Sequence, residues 1–288
     1  MRHAFAVKVG PVGFRVGSAW RGPIVALAAL YAGYPAPDGA VPDFTVRLEP
    51  ERPWRRLLRP SVAVRGDYVI PDAAPLPLAQ GLLAAEMGMN LQMALGARRW
   101  LLLHASGVER DGRALLMSGH SGAGKSTLSA LLAERGWRLL GDEFALVDLA
   151  SGAVHPFPRP ISLKNEAIAV MAAEVAADRL GPLLAGTPKG DVRHLRPPAD
   201  AIARMGETAR PALLLFPRFG HVEDVRPMGE VETFVRLTQA STNYIALGEA
   251  GFAALTGLVR SVPALAIDYA DTAGAVRLVE RLWAEMAR

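Results

Sequence analysis

The stretch Gly119-His120-Ser121-Gly122-Ala123-Gly124-Lys125-Ser126-Thr127 constrains this chain more than any other, because its spacing suits one local architecture. It reads G-x-x-x-x-G-K-[ST], in which glycines let successive backbone N–H groups converge on phosphate oxygens. Such a loop needs an apolar strand before it and a helix after it, so that the positive helix end faces the anion. Here Ala114-Leu115-Leu116-Met117 precedes it and Leu128-Ser129-Ala130-Leu131-Leu132-Ala133-Glu134 follows. The expectation is a strand, a phosphate-binding loop and a helix, with Lys125 reaching the terminal phosphates and Ser126 able to ligate Mg²⁺. A strand entering and a helix leaving also predict an α/β layer.

At 288 residues the chain is long enough for one or two domains, and 51% hydrophobic against 21% charged residues is the composition of a folded globular protein. With no cysteine, disulfides, thiolate catalysis and zinc–thiolate sites are excluded, which fits a cytoplasmic setting. The formal charge of +4 does not point to nucleic acid. Its basic residues are scattered arginines, lysine occurs only at 8, 125, 164 and 189, and no run of five basic residues exists. The apolar run from Ile24 to Ala32 is shorter than the roughly 20 residues a bilayer span needs, and Lys8 and Arg15 interrupt any signal-peptide core. No membrane partner is expected.

Along the chain, alternation at Phe5/Val7/Val9 and Val12/Phe14/Val16 around Gly10-Pro11 predicts a hairpin. A helix at 24–31, a strand at 44–48, a second hairpin over 62–70 turning at Gly66-Asp67, and a long helix over 78–95 follow. They suggest a small N-terminal α+β accessory domain, residues 1–98, ahead of a catalytic domain, residues 99–288. Trp100–Val108 and Arg113–Ser118 are apolar runs around Asp111-Gly112, a strong hairpin turn. Paired positions then sum to 223, which pairs Arg110 with Arg113 and sets His104 opposite Gly119 at the loop mouth. There His104 is either a site residue or an ordinary core or surface histidine.

After the helix, Gly136 is a stop signal and Trp137–Leu140 a strand. A parallel crossover brings its carboxyl end to the sheet edge that carries the loop, from an adjacent strand, and Asp142 and Glu143 sit there. One carboxylate beside phosphates would hold Mg²⁺ and the other would accept a proton; a solvated acidic turn is the alternative. Further on, 144–149 and 153–155 read as a hairpin and 156–160 as a stiff proline-rich stretch, with helix resuming after 165. Residues 186–198 read as a flexible basic loop that either closes over phosphates or stays solvated. A buried strand at 212–216, an edge strand at 222–228, helices at 231–238 and 248–262, a strand at 264–267 and a C-terminal helix complete the layer.

Taken together, Leu-Leu-His-Ala-Ser at 102–106, the loop at 118–127, Arg-Gly-Trp-Arg-Leu-Leu-Gly-Asp-Glu-Phe at 135–144, Pro-Arg-Pro-Ile-Ser-Leu-Lys-Asn at 158–165, Lys-Gly-Asp-Val-Arg-His-Leu-Arg-Pro-Pro at 189–198 and Thr-Asn-Tyr at 242–244 look like one family. In order and spacing they resemble the HPr kinase/phosphorylase superfamily, and within it the HprK-related kinase A group. Glu86-Met87-Gly88-Met89-Asn90 is similar to that group's helix before the kinase core. The resemblance implies a P-loop kinase core of the HPr kinase C-terminal and phosphoenolpyruvate carboxykinase type. It also implies use of ATP and Mg²⁺ and phosphoryl transfer to a serine-type hydroxyl. It makes Asp142 the base and Glu143 the metal-linked carboxylate, where true HPr kinases carry two aspartates, and matches His104 to the family's histidine before the loop. The glycine-rich signature of true HPr kinases is not recognisable here, which sets the chain apart from HPr itself as substrate and from the reverse phosphorylase reaction. Kinases of lasso-peptide pathways phosphorylate a precursor peptide, and the resemblance therefore implies a ribosomal peptide or small protein as acceptor, with a PqqD-like peptide-binding partner. Within that reading Arg159, Lys164, Lys189 and Arg193 are candidates for contacting phosphate or an acidic acceptor. A small-molecule kinase acting on a free serine-like metabolite, and a nucleotide-gated binding or chaperone module, are the alternatives.

Overall fold

The structure is a computed structural model that describes residues 2–39, 41–69 and 73–286. The N-terminal part comprises β1 (His3–Val9), β2 (Val12–Ser18), α1 (Arg21–Leu30), β3 (Phe44–Pro50), β4 (Ser61–Gly66), β5 (Leu76–Pro77) and α2 (Gly81–Gly96). Its strands form one sheet in the order β1-β2-β3-β4-β5, antiparallel except for the β2–β3 step that α1 spans. The expected hairpin around Gly10-Pro11 is present, with Val9 opposite Val12. The second expected hairpin is not: β4 pairs with β3, and Asp67 ends it by accepting the Thr45 N–H at 2.7 Å. Its far end, Ile70, and Pro71 lie outside the described residues. Helix α2 lies so close to the sheet that a Cβ on Gly88 would stand 2.6 Å from Val46 Cγ1.

The remainder is ordered β6 (Trp100–Leu103), β7 (Ala105–Arg110), β8 (Arg113–Ser118), α3 (Lys125–Ala133), β9 (Arg138–Gly141), β10 (Ala145–Asp148), β11 (Val154–His155), β12 (Ile161–Lys164), α4 (Glu166–Glu174), β13 (Leu184–Thr187), β14 (Gly190–Leu195) and α5 (Ala199–Ala203). Then come β15 (Arg210–Phe219), β16 (Asp224–Pro227), α6 (Glu230–Ala240), α7 (Tyr244–Ser261), β17 (Ala264–Tyr269) and α8 (Thr272–Met286). The protein is thus a mixed α/β fold with several sheets. The main sheet runs β16-β17-β15-β8-β7-β9, with β8, β15 and β17 parallel and buried between helices, as their apolar runs require. No helix among the described residues is long and apolar enough to cross a membrane.

Three departures from the sequence reading have physical causes. The run 100–108 is two strands, not one. The His104 N–H bonds Ala240 O at 2.8 Å, and the chain passes there from the β11-β10-β6 sheet into the main sheet. An uninterrupted apolar run carries no mark of such a change. Second, β9 is not adjacent to β8, because β7 lies between them and runs antiparallel to both. The carboxyl ends of β8 and β9 still share one edge. Third, 186–198 is no flexible loop: β13 and β14 pair there as a hairpin in the β12-β14-β13 sheet.

Arg159 is a correction of a different kind. It is buried, and its guanidinium donates to Tyr31 Oη at 3.0 Å, to Glu86 O at 3.1 Å, to Glu86 Oε2 at 2.6 Å and to Asn90 Oδ1. The fork is consumed inside the protein. It ties α1 and α2 to the stretch entering β12, beside a core that Phe14, Met89, Phe144, Phe157 and Val192 share across both halves of the chain. Arg159→Met leaves the Glu86 carboxylate buried without its partner and is expected to cost about 3–5 kcal/mol in chemical denaturation. The paired replacement Glu86→Leu/Arg159→Met is expected to cost less than Arg159→Met alone.

Candidate functional site

Strand β8 delivers the chain at Ser118 into the glycine loop, and α3 starts at Lys125. Gly122 (φ 86°) and Gly124 (φ 90°) lie in the left-handed region, and a Cβ on Gly124 would stand 2.6 Å from the Tyr269 hydroxyl. That hydroxyl, kept protonated by burial that pushes its pKa up, donates to Ala123 O at 3.0 Å. Lys125 Nζ folds back to donate to Gly119 O at 2.7 Å and His120 O at 3.0 Å. The loop is thereby clamped at both ends. A cavity of about 530 Å³ opens over it. Ser121, Gly122, Gly124, Lys125, Ser126 and Thr127 line the cavity, whereas Gly119, His120 and Ala123 do not.

Asp142 follows β9 and is buried. Ser106 on β7 donates its hydroxyl to Asp142 Oδ1 at 2.8 Å, and the Ser126 hydroxyl lies near enough to act on the same carboxylate. Burial is the largest influence on Asp142 and raises its pKa; the Glu143 charge raises it further. The Ser106 hydrogen bond, the nearby Ser126 hydroxyl and the Lys125 charge oppose that rise. Burial lowers the Lys125 pKa, opposed by Asp142 and Glu143 and assisted by Lys164. The two carboxylates and the cations thus sit within each other's field, a mutual perturbation typical of functional sites.

Glu143 is half-exposed at the cavity wall, with its carbonyl 3.1 Å and its carboxylate 3.8 Å from His104 Nδ1. His104 stands at the mouth, and the hairpin register is the one expected from Asp111-Gly112: Arg110 pairs with Arg113 and Ala105 with Ser118. Lys164, at the end of β12, and Lys189, in the β13–β14 turn, also line the cavity. Lys189 is set by Thr187, which accepts its N–H at 3.1 Å and donates to Gly190 O at 2.7 Å. Arg193 does not join them: its Nε is bound to Gly181 O at 2.7 Å and it lies off the cavity wall. The structure therefore gathers His104, Lys125, Ser126, Asp142, Glu143, Lys164 and Lys189, and leaves Arg159 and Arg193 elsewhere.

Three contributors went unnoticed in the sequence. Ser106 lies two residues beyond His104, and the same sum of 223 places it opposite Met117, close to the loop. Asn165 adopts φ 49° at the cavity wall and accepts the Asp191 N–H at 3.2 Å; no spacing marks it. Tyr269 comes from the far end of the chain, where only the fold makes it a neighbour of Gly124. As to metal, no cluster of three or more His, Asp or Glu gathers among the described residues. Mg²⁺ at a phosphate site uses one or two carboxylates and fills the rest of its shell with phosphate oxygens and water, and the oxygen donors Ser126, Asp142 and Glu143 suit it.

Asp142 also makes the site costly to the fold. Its folded pKa is raised, so its neutral form favours the folded state; that contribution is full below the ordinary aspartate value of about 3.9 and is lost as pH rises through the folded value. Asp142→Asn, which keeps an acceptor for Ser106, is therefore expected to raise the melting temperature at neutral pH, with the gain vanishing on acidification. An unchanged or lower Tm at neutral pH is the contrary result.

No protein-family model and no curated protein matches the chain. Among solved structures it is similar to the Hpr(Ser) kinase/phosphatase from Coxiella burnetii, at 13% identity and a TM-score of 0.27, over 64% of this chain and 98% of that one. So low a score leaves the functional reading to rest on the site itself.

Proposed function

We propose that this chain is an ATP-dependent kinase that transfers the γ-phosphoryl group to a serine-type hydroxyl. The observation that carries the reading is the meeting of Lys125, Ser126 and Asp142 over one glycine loop, with Ser106 bonded to the Asp142 carboxylate and Ser126 beside it. Phosphoryl transfer depends mainly on positioning and on stabilising charge, and the cavity supplies both. The N–H groups of the loop and the α3 terminus cradle the phosphates. Lys125, Lys164 and Lys189 offset their charge, with Lys125 exchanging its loop carbonyls for phosphate oxygens. Ser126 and a carboxylate would hold Mg²⁺, which would supply charge neutralisation at the phosphates.

The place of the Ser126 hydroxyl is beside the Asp142 carboxylate. It favours Asp142 as the metal-side carboxylate and leaves Glu143, more exposed and beside His104, to orient and deprotonate the acceptor hydroxyl. This reverses the division that the family resemblance implies. The acceptor class, a peptide or small protein served by a PqqD-like partner, is carried by that resemblance, and the division at residue 98 by the long helix that precedes it in the sequence.

In a labelled-phosphate assay, Lys125→Ala is expected to abolish transfer in a folded protein. Asp142→Asn is expected to raise the Mg²⁺ concentration needed for half-maximal rate, whereas Glu143→Gln lowers kcat by about 10²–10⁴ without moving the Mg²⁺ requirement. The opposite pattern restores Asp142 as base. Full transfer by a folded Lys125→Ala variant removes the glycine loop from the mechanism.

A further inference from the structure

The connection between β3 and β4, residues 51–60, reads Glu-Arg-Pro-Trp-Arg-Arg-Leu-Leu-Arg-Pro. It makes a single 3-10 turn at Pro53–Arg56 and leaves Trp54, Leu57 and Leu58 exposed by 55%, 88% and 67%. Three large apolar side chains in five residues, turned to solvent, are unusual in a protein whose remaining apolar residues so largely form core. Four arginines interleave them. Some surface arginines elsewhere are matched with carboxylates, as in Arg110–Glu280, Arg179–Glu134 and Arg226–Glu232, and others such as Arg65, Arg210 and Arg260 stand singly. Among the described residues Arg52, Arg55, Arg56 and Arg59 form no ion pair either, and they fall together within eight residues. The one acid of the segment, Glu51, accepts the Ser61 hydroxyl at 3.3 Å.

The segment is nonetheless held in shape. The Trp20 indole donates to Arg56 O at 3.0 Å, Arg55 reaches Arg59 O at 3.2 Å, and the Arg52 guanidinium lies 5.3 Å above the Trp54 ring. Arg59 is kept at φ 45°, a conformation that costs a non-glycine residue roughly 1–2 kcal/mol. The segment is also joined to the rim of the candidate site. Pro60 O accepts the Leu78 N–H at 3.2 Å, and Gln80, two residues on, donates to Gly186 O at 3.2 Å, in the hairpin whose turn carries Lys189 into the cavity.

We propose that residues 52–59 are a docking surface for an acidic segment of the phosphoryl acceptor in which carboxylates alternate with apolar side chains. This rests on the kinase reading above and supplies it with a class of acceptor. Guanidinium forks bind carboxylates bidentately, and Trp54, Leu57 and Leu58 supply the apolar anchors that carry most of the energy of a small interface. An anionic membrane is the weaker fit. Three side chains bury little area in lipid, and Arg52 lies over the tryptophan ring that would have to insert. Because the docking surface lies outside the cavity, it selects the acceptor without touching the reacting atoms.

The test uses the full chain without nucleotide and a fluorescein-labelled peptide that interleaves Glu and Asp with Leu and Phe. Controls are the same peptide with Lys in place of its acids, and vesicles of phosphatidylglycerol or phosphatidylcholine. The acidic peptide is expected to bind, more weakly as salt rises, and the Lys peptide is not. Arg52→Glu/Arg55→Glu and Trp54→Ser/Leu57→Ser are each expected to weaken binding at least about tenfold. ATP·Mg²⁺ affinity, measured on the same preparations, is expected to stay at its wild-type value and reports that each variant is folded. Equal peptide affinity in wild type and both variants overturns the docking surface, as does binding of phosphatidylglycerol vesicles through these residues without binding of the peptide. Neither result touches the kinase reading, which fails separately if the wild-type chain binds no ATP·Mg²⁺.

Discussion

A carboxylate buried between two hydroxyls and a lysine holds this site together. Asp142 ends β9, Ser106 belongs to β7, and Ser126 and Lys125 open α3, so three elements of the main sheet layer meet on one side chain. Its ionisation is opposed by burial and by Glu143 and supported by Lys125 and the serine hydroxyls. A cluster of this kind is expensive to fold and is kept where charge has to be placed accurately against a substrate. The antiparallel insertion of β7 between β8 and β9 makes the meeting possible, by bringing Ser106 beneath Asp142 while both neighbouring strands end at the same edge.

Much of that architecture could be read from local signals. Asp111-Gly112 dictated a two-residue turn, and the register that follows runs from Arg110–Arg113 to Ala105–Ser118. The glycine loop announced its strand and its helix. What escaped the sequence depended on contacts distant along the chain. Nothing local tells that the backbone at His104 is captured by Ala240, or that the Arg159 fork will be filled by Glu86 and Asn90. A proline-flanked arginine near a phosphate motif suggests a ligand contact; burial against α2 makes it a strut instead. The stretch 186–198, rich in glycine, proline and charge, looks like a loop, yet Val192, His194 and Leu195 face inward and commit it to a hairpin.

That strut and that hairpin connect the N-terminal sheet to the candidate site. Arg159 anchors the entry to β12, whose last residue is Lys164, and the β13–β14 turn holds Lys189 while Gln80 steadies its flank. The cationic wall of the cavity is therefore positioned partly by residues from the first third of the chain. The arginines of residues 52–59 stand on that same N-terminal part, so the proposed docking surface and the cationic wall share one support.

The central claim is that the cavity moves a phosphoryl group onto a hydroxyl. It is met most directly by mass spectrometry of acidic, serine-containing peptides, small proteins and serine-like metabolites after incubation with the protein and ATP·Mg²⁺. A phosphorylated serine in a peptide or protein, absent when Lys125 is replaced by Ala, is the expected result. Tight ATP·Mg²⁺ binding with no phosphate on any peptide, protein or metabolite contradicts the claim and makes the chain a nucleotide-gated binding module instead.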